Sequence, residues 1–97
     1  REAARLGVAY ERIAIRDQRT RWGSCSRRGT LSFNWRLVLA PTGVLEYVVV
    51  HELCHLREPN HSRRFWALLE SARPGYRAER QWLRRHGWEL LAYRAAA

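Results

Sequence analysis

The chain contains no lysine and no methionine. All 18 of its basic side chains are therefore arginines, and against nine acidic residues they leave a formal net charge of +9. Such an excess suits an anionic partner, and weak association with DNA through the arginines is one expectation. A genome rich in arginine and alanine would produce the same imbalance, so the charge alone assigns no function. Cysteine is scarce, with only Cys25 and Cys54. That excludes the disulfide framework of a small secreted domain and the paired cysteines of a zinc finger. No apolar run approaches the ~20 residues of a membrane span, and the N-terminus lacks the charged-then-apolar layout of a signal peptide. A soluble, cytoplasmic protein with no membrane partner is expected. Ninety-seven residues suit a single domain, 1–97, near the lower limit for an independent core. Arginine at position 1 and the lack of methionine read as the core of a longer protein.

What the chain does have is concentrated at residues 48–61, VVVHELCHLREPNH, which hold three of its four histidines. On a helix, side chains four apart lie one above the other with Cβ atoms ~5–6 Å apart, so His51 and His55 can grip one ion. This is the zinc pair of the HExxH pattern. Glu52 is turned about 100° from His51, too far to ligate comfortably but within reach of a water on the metal. It is the candidate general base. Pro59 lacks an N–H and disfavours helix in the residue before it, so the helix should stop near Arg57 or Glu58. The reversing chain then brings back His61 as third ligand, with Glu58 as the next choice. Three protein ligands and a fourth position for water make a catalytic zinc site, whereas a structural site closes all four.

Val44, Leu45, Tyr47 to Val50, Leu53, Cys54 and Leu56 make this helix apolar almost all round, hence buried. Buried imidazoles and a buried carboxylate need partners, which a metal and its water supply. Cys54, about 100° from His55, reads as core rather than ligand.

Elsewhere, residues 1–10 read as a helix closing near Gly7, and ERIAIRD (11–17) as a half-buried strand. Strands at 20–26 and 31–35 are joined by the glycine-containing hairpin SRRGT. Pro41 suits the first turn of the HExxH helix. SRRFWALLESA turns Phe65, Leu68 and Leu69 to one side of a helix capped by Asn60 or Ser62. Pro74-Gly75 breaks it, and 76–86 forms a further helix with Trp82 and Leu83 inward and Gly87 as its stop. Arg77, Arg80 and Arg84 form that helix's polar stripe, and with Arg85 they are the strongest candidates for a DNA contact. The pattern leaves 88–93 open in conformation, and the last three alanines should fray.

RWGSC (21–25), the glycine hairpin, LSFNWRLVLAP (31–41), VVVHELCHL (48–56) and NHSRRFW (60–66) together resemble the YgjP-like family of metal-dependent peptidases. The resemblance covers most of the chain from Ile13 onward. It implies an α+β, zincin-like catalytic domain: a short antiparallel sheet packed on the HExxH helix, with further C-terminal helices. It also implies one zinc ion on His51, His55 and His61, a catalytic Glu52 and a protein or peptide substrate. In such folds the strand before the active-site helix, here 31–35, tends to form the cleft rim, where an extended peptide could pair with its edge. For the oxyanion, Arg21, Asn34 and Tyr76 are candidate donors, each equally readable as an ordinary surface or packing group. Trp22, Trp35 and Trp66 read as core. Two other readings stay open: a nucleic-acid-associated module whose metal only holds the fold, and a zinc hydrolase of a non-peptide amide.

Overall fold

The computed structural model describes residues 2–18 and 20–93. The terminal alanines expected to fray lie outside the described residues. Helix α1, Glu2–Leu6, closes at Gly7 with φ of 68°, the left-handed conformation glycine adopts without penalty. Strands β1 (Arg12–Arg16), β2 (Gly23–Cys25) and β3 (Thr30–Asn34) follow, then a 3₁₀ segment, Trp35–Leu39. Three helices complete the chain: α2 (Thr42–Cys54), α3 (Arg63–Ala72) and α4 (Tyr76–Ala92). The architecture is α+β, and among the described residues no helix is long and apolar enough to cross a membrane.

The sheet is mixed rather than antiparallel throughout. Its order is β1-β3-β2, with β3 antiparallel to β2 across the hairpin and parallel to β1. After β1 the chain passes beneath the end of β3 before β2 begins. Asn34 pins that passage, donating its amide to the carbonyls of Gln18 (2.7 Å) and Arg21 (2.8 Å). β3 is consequently the central strand and the most buried, whereas Ile13 and Ile15 on β1 remain largely exposed. Both edges of β3 are paired. It has no free edge for a substrate, contrary to the expectation for 31–35.

α2 packs across the sheet and buries Val44, Tyr47, Val48, Val50, Leu53 and Cys54, closing a core with Leu31, Leu37, Phe65 and Leu69. Pro41 sits at the N-cap of α2, one residue outside the predicted first turn. The regular helix ends at Cys54, earlier than predicted, and single turns carry the chain to Glu58, whose N–H donates to the Cys54 carbonyl at 2.9 Å. Of the two predicted caps of α3, Ser62 is the one used: its hydroxyl accepts from the Phe65 N–H at 3.4 Å.

α4 continues through Gly87, where a stop was predicted. Gly87 is buried, and a Cβ there would lie 2.9 Å from the Trp22 ring. The glycine is a notch for an indole. Trp22, Trp35 and Trp66 are half-buried rather than fully enclosed. Arg36, in the 3₁₀ segment, is fully buried: its guanidinium donates to Asp17 Oδ1 (2.7 Å), the Gln18 carbonyl (3.0 Å) and the Tyr93 carbonyl (2.9 Å). It ties β1, the crossing segment and the end of α4 together. Two members of the proposed DNA-binding stripe are engaged within the protein, Arg77 facing Glu70 at 3.7 Å and Arg80 lying 5.0 Å over the Trp66 ring.

Candidate metal centre

His51 stands in the last turn of α2, His55 is its C-cap, and the loop after Glu58 returns His61 to them. The His61 Nε2 lies 3.0 Å from that of His55 and 3.3 Å from that of His51, and all three donor atoms fall within 4.8 Å of one another. A tetrahedral ion with Zn–N bonds of 2.0–2.1 Å places its nitrogens about 3.3 Å apart, close to the two separations from His61. Phe65, fully buried on α3, forms the floor beneath them, its ring centroid 4.9, 4.4 and 4.9 Å from those of His51, His55 and His61.

The remaining ring nitrogens of His51 and His55 are also engaged. His55 Nδ1 donates to the Glu58 carbonyl at 3.1 Å, which fixes the tautomer and leaves the Nε2 lone pair facing the cluster. His51 Nδ1 lies 3.4 Å from the Tyr47 hydroxyl, one helical turn earlier, an outer contact that sequence reasoning missed. Burial pushes the Tyr47 phenol up to about 12, so it is a neutral hydroxyl able to accept. Burial, then the neighbouring histidines and Arg80, push His51 down to about 3. His55 is lowered as well, by burial first. Neutral imidazoles are the form a metal requires.

Glu52 is buried beside the cluster, not within it. Burial raises its carboxyl to about 7 against the opposing pull of Arg21. A carboxylate that holds a proton near neutrality is matched to general acid–base work. Glu52 and the three histidines open on a cleft of about 730 Å³, whose far wall is the strand β2 with Arg21 at its end. Of the three oxyanion candidates only Arg21 lines this cleft. The Asn34 amide is spent on the Gln18 and Arg21 carbonyls, and Tyr76 is buried between Tyr47 and Trp66, its ring centroid 6.3 and 5.9 Å from theirs. Cys25 also faces the cleft, as a thiol raised by burial and by Glu52, whereas Cys54 is core, fully buried. The carboxylate of Glu58, the alternative third ligand, is not among the described groups that could hold a metal.

The profile of the YgjP-like metallopeptidase domain matches residues 1–86. The chain belongs to the YgjP-like metallopeptidase family. It is a metal-dependent peptidase, and its substrates are therefore proteins or peptides. The YgjP-like chain is also similar in structure to the metallopeptidase zymogen of Pyrococcus abyssi abylysin. The two are 26% identical with a TM-score of 0.72, over 89% of this chain and 86% of that one. No curated protein matches it at a significant level.

Proposed function

We propose that this YgjP-like peptidase uses one zinc ion held by His51, His55 and His61, with Glu52 as general base and then general acid. The observation that carries the reading is the convergence of three Nε2 atoms beside a buried carboxylate, on a cleft open to solvent. Bound there, zinc supplies a water acidified toward ~7 and an electrophile for the scissile carbonyl. Glu52 takes a proton from the attacking water and hands it to the departing amine. Arg21, at the cleft wall, is placed to donate to oxygen charge that develops during attack. A metal that only holds the fold would be closed by four protein ligands, and neither cysteine is among the described groups gathered at the cluster. That disfavours the nucleic-acid module, and family membership sets aside the non-peptide amide.

The substrate strand is assigned to β2 instead of β3. β2 ends the sheet among the described strands and walls the cleft, so an extended peptide can pair with Gly23–Cys25 and take its affinity from main-chain bonds. Cleavage specificity should be loose. The function is tested by incubating the chain with a denatured protein: cleavage is expected that a chelator abolishes and added zinc restores. Cleavage unaffected by the chelator would contradict the reading.

The Tyr47 contact yields a further expectation. Outer partners of metal-bound histidines typically contribute 10–100-fold in affinity, and the long 3.4 Å contact suits the lower end. Tyr47→Phe is expected to weaken zinc binding about tenfold in competition with a chromophoric chelator. An unchanged dissociation constant would remove Tyr47 from the site.

A further inference from the structure

We propose that Gly23 is a positioning residue, and that the missing side chain at this point in β2 is what seats the Glu52 carboxylate. The proposal rests on Glu52 being the base. A Cβ at position 23 would lie 3.0 Å from Glu52 Cγ, 3.2 Å from its Oε2 and 3.1 Å from the Ser32 carbonyl oxygen. Real Cβ atoms rarely come so close. Backbone conformation is not what demands glycine here, because the positive-φ glycines are Gly7, Gly29 and Gly75. Close approach is the remaining reason.

Which neighbour would yield to an added methyl follows from how each is held. The Ser32 carbonyl belongs to the central strand, paired on both sides, with Ser24 opposite Ser32 in register. β2 itself cannot easily recede. The Asn34 N–H donates to the Trp22 carbonyl at 2.9 Å, and the Trp22 ring already fills the notch at Gly87. The compliant partner is the Glu52 side chain. A shift of a few tenths of an ångström at Cγ moves the carboxylate that must meet the water. A misplacement of about 1 Å can cost ~10²-fold in rate, so a smaller one predicts about tenfold. The histidines stand apart from this contact and should keep their affinity for zinc.

The test is a cycle on the zinc-loaded chain: Gly23→Ala, Glu52→Gln and the double variant, each assayed for kcat, KM, zinc affinity and melting temperature. Gly23→Ala is expected to lower kcat about tenfold with KM and zinc affinity near wild type. The double variant is expected to be no slower than Glu52→Gln alone, because Gly23 acts only through Glu52. A merely structural role would lower zinc affinity, and its loss would multiply with that of Glu52→Gln. Gly23→Ala within twofold of wild-type turnover, or losses that multiply, overturns the proposal. If Glu52→Gln itself turned over normally, the base assignment would fail and this proposal with it; an inactive Glu52→Gln beside an active Gly23→Ala sinks the proposal alone. Should Gly23→Ala not fold, Glu52→Ala in the same chain removes the obstructing side chain and is expected to restore the melt. Failure to restore it overturns the proposal as well.

Discussion

Glu52→Gln is expected to lower peptide hydrolysis by about 10²–10⁴-fold while leaving the fold and zinc content intact. Glutamine has nearly the same shape, so the contact with Gly23 and the packing beneath β2 survive. It cannot accept the water's proton. The burial that raises Glu52 to about 7 also implies that a neutral amide costs the fold little at this position, since the charged form is the one burial penalises. The measurement is steady-state cleavage of a quenched peptide beside elemental analysis of the same sample. Near-normal turnover with full zinc would remove Glu52 from the chemistry.

His61→Ala is expected to have an effect of the same order, through the metal. His61 is the exposed member of the trio and comes from a loop, whereas His51 and His55 are fixed one helical turn apart. Two imidazoles on a helix hold zinc weakly; the third closes the grip and leaves one position for water. Loss of mere outer partners already costs 10–100-fold in affinity, so loss of a ligand should weaken zinc binding by ~10²-fold or more. Activity should vanish at trace zinc and return in part when zinc is raised. Should His61→Ala bind zinc as tightly as the unaltered chain, Glu58 would replace it as the third ligand.

The candidate histidine cluster was legible in the sequence to the extent that it is local. His51 and His55 are four residues apart on one helix, Pro59 turns the chain, and the geometry brings His61 back to them. Tyr47 carried a readable signal too, lying four residues before His51 just as His55 lies four after, but its place in an apolar run concealed it. Phe65 was recognisable as an inward side chain of α3, though nothing in its spacing announces a floor shared by three imidazoles. Gly23, Gly87 and Arg36 were not legible. Each answers to a partner distant in sequence: Glu52, Trp22, and the Asp17 and Tyr93 groups respectively. Glycine's preference for helix C-termini made Gly87 look like a stop, yet the approach of Trp22 selects glycine inside a continuing helix. Strand order is non-local in the same way. Alternation identified β1, but only the passage pinned by Asn34 decides that it pairs parallel to β3 and leaves β2 as the edge beside Glu52.

The most direct test of the centre is zinc-edge X-ray absorption on the zinc-loaded chain. Three imidazole nitrogens and one oxygen scatterer, all at about 2.0–2.1 Å, are predicted. Sulfur at about 2.3 Å, which would bring Cys25 or Cys54 into the coordination sphere, or a chain that takes up no zinc, would contradict it.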